Sequence, residues 1–155
     1  MHATEKPRPL GVYLWLLLML VLGGGGLYGG LTFLADPSGA GLGMTPQELP
    51  AFLVQDYTLP GLFLAVAMGV LPLAILAGLW ARPDWAWAGR WNPWKAYHWT
   101  WSAGLGMGLL LVAWMIFEIA MIGFGSPLQV IFTAWGGLLT GVALLPGVRA
   151  YYRAA

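Results

Sequence analysis

Four apolar runs, each long enough to cross a bilayer, restrict this 155-residue chain to one class of fold. At about 1.5 Å per helical residue, a hydrocarbon core of ~30 Å requires about 20 residues. The runs at about 11–34, 58–81, 96–122 and 128–148 meet that requirement. In hydrocarbon the backbone must satisfy its own polar groups, and an open run of this length does so as a helix. The expected fold is therefore an all-α integral membrane protein, a compact four-helix transmembrane bundle. Residues 1–10 read as a short polar tail and residues 11–155 as one domain. Only 8% of the residues are charged, against about 25% in soluble domains. A secretory signal peptide is the competing reading of the first run, because Lys6 and Arg8 precede it. Its length exceeds the usual apolar region and no small-x-small site closes it, so we read it as a retained helix.

The seven basic residues orient the chain. Lys6 and Arg8 precede the first run, Arg82, Arg90 and Lys95 separate the second from the third, and Arg149 and Arg153 follow the fourth. The other two connections carry Asp36, Glu48 and Asp56 instead. Lys and Arg concentrate on the cytoplasmic side of membrane proteins, so both termini are expected to be cytoplasmic.

The connections have local chemistry of their own. Asp36-Pro-Ser-Gly is a turn sequence. Thr45-Pro-Gln-Glu48 has capping-box spacing with Pro at the first helical position, which predicts a short interfacial helix cut off by Pro50. Between runs two and three, Arg82, Trp85, Trp87, Arg90, Trp91, Trp94 and Lys95 have the composition of a segment at headgroup level, in contact with membrane lipids. Aromatics interleaved with basic residues also occur in nucleic-acid sites, but the flanking spans argue against a nucleic-acid partner.

Inside the runs, Gly25/Gly29, Gly26/Gly30, Gly104/Gly108 and Gly137/Gly141 have the four-residue spacing that lets helices approach closely. Pro72, one turn after Gly69, predicts a kink in the second helix, and Pro146 marks an end for the fourth.

Glu118 is the one carboxylate inside an apolar run. Ionisable groups are expensive in hydrocarbon, about 2.5–3.5 kcal/mol on insertion scales, which makes Glu118 the candidate site residue. It falls roughly 7–8 Å inside the far end of the third helix at the helical rise. Gln129 and Thr133 on the fourth helix, and Tyr28 on the first, are expected at the same depth. The resulting polar cluster of Glu118, Gln129, Thr133 and Tyr28 has two uses open to it. It either fixes helix register through hydrogen bonds, or binds a cation, a proton or the polar head of a lipid-like ligand. His98, some twenty residues from Glu118 along the same helix, is read as an interfacial histidine. Zero Cys and two His give no basis for a metal or thiol site, and no cofactor is expected.

Asp36-Pro-Ser-Gly-Ala-Gly-Leu-Gly43, Asp56-Tyr-Thr-Leu-Pro-Gly61, Glu118-Ile-Ala-Met-Ile-Gly123 with Leu128-Gln129, and Leu144-Leu-Pro-Gly-Val-Arg149 resemble small bacterial four-span membrane proteins of the DoxX-like kind. The resemblance covers most of the chain and implies architecture and a multi-pass place in the bacterial cytoplasmic (inner) membrane, not an activity. Three functions follow as expectations. The first is a non-enzymatic bundle that binds a small ligand or lipid, or serves as an accessory subunit of a membrane complex. The alternatives are a membrane-embedded enzyme on a lipid or isoprenoid substrate, and a proton- or ion-coupled transporter working as a homodimer.

Overall fold

The computed structural model describes residues 7–49 and 54–154, so the tail up to Lys6 and the break expected at Pro50 lie outside the described residues. Its helices are α1 (Leu10–Ala35), α2 (Thr58–Ala81), α3 (Ala86–Trp91), α4 (Trp99–Ile122), α5 (Pro127–Leu144) and α6 (Pro146–Tyr151). Four of them, α1, α2, α4 and α5, are long and apolar enough to cross a membrane. No strand forms among the described residues, where the one β-like pairing is an isolated bridge between Tyr97 and Arg153.

The four long helices form an antiparallel ring. α1 packs along α2, the second half of α2 packs on α4, α4 packs along α5, and α5 returns to α1. The described chain ends therefore meet the segment between α2 and α4 at one end of the bundle. There Arg8 donates to the Trp80 carbonyl (3.0 Å), the His98 N–H to the Tyr152 carbonyl (2.7 Å) and the Tyr152 hydroxyl to the Leu79 carbonyl (2.8 Å). All described Lys and Arg residues belong to this basic end. The opposite end holds the long connection from Asp36 to Tyr57 and the α4–α5 hairpin.

Helix boundaries depart from the expected ones where side chains or proline intervene. α4 starts at Trp99, not 96, because the His98 ring caps it: Nδ1 accepts the Thr100 N–H (3.3 Å). The preceding loop is held by buried Asn92, which donates to the Tyr97 carbonyl (2.7 Å) and accepts from the Ser102 hydroxyl (2.5 Å). α5 ends at Leu144, since Pro146 has no N–H to continue the ladder, and the chain resumes as α6. The segment after Thr45, where a short helix was expected, forms the 3₁₀ helix Pro46–Glu48. Ala86–Trp91, expected as a Trp-rich loop, is helical, with the Lys95 ammonium on the Gly89 and Arg90 carbonyls at its C-terminal end (2.8 Å each).

The seam between α1 and α2 explains the glycine run. Pro72 cannot bond the Met68 carbonyl, and the preceding stretch, Leu64–Val70, widens into a π-helix with i→i+5 bonds such as Leu71 N–H to Val66 O. Where a kink was expected, α2 thus carries a π-helical stretch. It meets Gly26, where a Cβ would overlap the Met68 carbonyl and come 2.7 Å from the Gly69 nitrogen, and Gly30, which lies on the Ala65 backbone. Gly108 and Gly136 make the α4–α5 seam in the same way, against Thr140 and Val112 respectively. Gly25, Gly137 and Gly141 instead face open space.

Candidate functional site

The polar cluster at the hairpin end forms around Gln129, which is 1% exposed. The chain reverses at Gly123 (φ 82°, ψ 169°), a conformation open essentially to glycine alone. The turn leaves backbone groups without helical partners, and the Gln129 amide takes them up. Its Oε1 accepts the N–H groups of Gly125 (3.1 Å) and Ser126 (3.3 Å). Its Nε2 donates to the Gly123 carbonyl (3.1 Å) and to Glu118 Oε1 (3.4 Å). An amide side chain offers two donors and two lone pairs, so this one is saturated. Ser126 completes a reciprocal capping box for α5. Thr133 returns its hydroxyl to the Gln129 carbonyl (2.6 Å), and Glu118 is half-buried beside the turn.

Tyr28 does not join them. Its side chain is 69% exposed, because the inward face of α1 is set by Gly26 and Gly30, and a residue two positions from each lies on the opposite side of the helix. The expected four-residue cluster is therefore a three-residue one that secures the hairpin.

The basic end presents a second constellation. A pocket of about 230 Å³ is lined by Arg82, Asp84, His98, Tyr152 and Arg153 among others. Because Nδ1 of His98 accepts the Thr100 N–H, the neutral ring carries its proton on Nε2, which is buried, lacks a hydrogen-bond partner and lies 3.6 Å from Asp84 Oδ1. Burial holds the His98 imidazole below its ordinary pKa, outweighing the upward pull of Asp84. Between that lowered value and the unfolded value of about 6.5, the unfolded chain binds more protons than the folded one. Stability accordingly falls as pH drops through about 6.5 and levels off once the folded ring is protonated. Melting curves in detergent at neutral and mildly acidic pH should show this loss. His98→Asn, which keeps a capping acceptor, should remove the His98 contribution; an unchanged pH dependence in the variant would refute it.

Beside this pocket a groove of about 600 Å³ runs between α2 and α4. Leu71, Ala74, Ile75 and Gly78 form one wall, and Ala103, Gly106, Met107 and Leu110 the other. Its mouth at the basic end is framed by Pro83, Trp85 and Trp99. Trp99 is fixed there by its indole N–H on the Pro83 carbonyl (2.8 Å) and by stacking on Trp85 (centroids 5.2 Å apart). Trp85, Trp87, Trp91 and Trp94 are all at least 42% exposed around the same end. Among the basic residues of that segment, Lys95 is engaged with α3, and Arg82 lies over the Tyr151 ring (4.6 Å).

Two features of these sites escaped the reading of the sequence. Ser126-x-x-Gln129 is a capping-box spacing, legible in the sequence as a helix start. The groove has no such signal, since its walls come from two helices and its lining is ordinary apolar sequence.

Comparison with known protein families, with curated proteins and with solved structures gives no match. The likeness to the DoxX-like proteins read from the sequence gains no support from these comparisons.

Proposed function

We propose that the protein is a non-enzymatic integral membrane protein of the bacterial inner membrane, with both termini cytoplasmic, that holds a lipid chain in the groove between α2 and α4. The observation that carries this reading is the groove itself. Its volume of about 600 Å³ falls within the range of small-molecule sites, about 300–1,000 Å³. The α2 wall from Leu71 to Ala81 is about 15 Å long at the helical rise, half of a ~30 Å hydrocarbon core. The groove thus matches the depth of one leaflet, and its Trp-framed mouth lies at the basic end, where headgroups would be. The saturated Gln129 amide and the outward Tyr28 favour the register-fixing use of the Glu118 cluster over ligand binding.

Native mass spectrometry of the gently extracted protein tests this reading with a groove-filling variant. Nothing lies within 4 Å of a Cβ added at Gly106, so Gly106→Phe fills the groove without a backbone clash at that atom. Wild type should carry a co-purifying lipid and Gly106→Phe should lose it, while Glu118→Ala keeps it. Loss in Glu118→Ala with retention in Gly106→Phe would move the site to the hairpin end. An accessory-subunit role has one observation in its favour: Gly137 and Gly141 present an open small-residue face on α5. A stoichiometric protein partner without lipid in the same spectra would select that role.

A further inference from the structure

Resting on the groove as the seat of a lipid chain, we infer that the adjoining pocket receives the phosphate of a phospholipid, with Arg82 as its ion-pairing residue. The two spaces share Ala81 and are divided by the short segment that follows it, left-handed at Arg82 and turned at Pro83–Trp85 by the Trp85 N–H on the Pro83 carbonyl (3.0 Å). Along that segment Arg82 and Asp84 line the pocket, while Pro83 and Trp85 line the groove. Four consecutive residues thus alternate between the two spaces and build both halves of an amphiphile's site. His98 and Trp99 repeat the division on the facing wall.

The backbone singles out Arg82. It is the one non-glycine residue with positive φ among the described residues (φ 46°, ψ 55°). It occupies the left-handed position that ends α2, its N–H on the Gly78 carbonyl, where glycine is the favoured residue. A side chain kept at a glycine position points to a use for that side chain. The guanidinium lies over the Tyr151 ring with a long contact to the Tyr151 carbonyl (3.5 Å), and no carboxylate pairs with it among the described residues. Guanidinium groups bind phosphate through paired, charge-assisted hydrogen bonds. The Nε2–H of His98 supplies a buried donor without a partner. Arg153 adds a second cation, and the one opposing carboxylate, Asp84, is fully exposed and hence solvated. Joining head and chain in one molecule makes the second contact intramolecular, which favours a lipid over a free anion.

The test compares phosphatidylglycerol with a diacylglycerol of the same chains, titrated onto delipidated protein in a neutral detergent and read by native mass spectrometry. Wild type should prefer the phospholipid by about tenfold, the effect of one charge-assisted contact. Arg82→Gly should lose that preference while melting no lower than wild type, because glycine suits the left-handed cap. Arg82→Lys should keep part of the preference. Equal binding of both lipids by wild type, abolished by Gly106→Phe, would overturn the phosphate inference and leave the groove reading standing. Equal lipid binding by wild type and Gly106→Phe would overturn both. So would a dimer, free of lipid, that Gly106→Phe dissociates. Inorganic phosphate bound alike by wild type and Gly106→Phe, with no lipid retained, would show an anion pocket unconnected to the groove and overturn the inference.

Discussion

Replacing Gly26 by Leu should remove the folded bundle, with a loss of about 3 kcal/mol or more, the upper end for overpacking a well-packed seam. The new Cβ would overlap the Met68 carbonyl, and backbone, unlike a flexible side chain, has no rotamer to move to. Gly24→Leu is the control, since a Cβ there meets nothing within 4 Å. It should be neutral within about 1 kcal/mol, because leucine is also the better helix former. Thermal melts of the two variants in the same detergent decide the matter. If both unfold alike, the π-helical stretch of α2 does not lie against α1 as described.

The second large effect is expected at the hairpin. Gln129→Leu removes the partners of the Gly125 and Ser126 N–H groups and of the Gly123 carbonyl at one stroke. A buried polar group left unsatisfied costs about 1–3 kcal/mol, and with some of these groups reaching water the total should be about 2–4 kcal/mol. Glu118→Gln should leave folding intact, as a glutamine retains an acceptor for the 3.4 Å contact from Gln129. Glu118→Ala should cost under about 1 kcal/mol, because Gln129 Nε2 keeps the Gly123 carbonyl. Chemical unfolding in detergent measures all three. Severe loss in Glu118→Gln with Glu118→Ala tolerated would contradict this account of the cluster.

These two sites show how far the sequence could be read. Gly26/Gly30 and Gly25/Gly29 have identical spacing, yet the first pair meets α2 across backbone, while Gly25 faces open space. Spacing establishes that a helix has a small-residue stripe; which stripe is buried depends on the neighbour. Here the neighbour is the π-helical stretch of α2, which meets Gly26 and Gly30. One residue inserted into an α-helical ladder shifts the face that follows by roughly 100° at 3.6 residues per turn, a change no apolar pattern records. Tyr28 was misplaced for the same reason: depth along a helix follows from residue number, but facing does not.

Read alone, the sequence yields four helices long and apolar enough to cross a membrane, their lengths to within a few residues, and the collection of basic residues at one end. These are properties of continuous runs, legible from length, composition and the spacing of charge alone. The tertiary structure alone decided that Gln129 turns inward to close the hairpin and that Tyr28 turns out. It also decided that Arg82 and His98 meet across a pocket beside an apolar groove. Those juxtapositions join residues from different helices. They depend on helix rotation and close packing, which are set only when all four helices are in place.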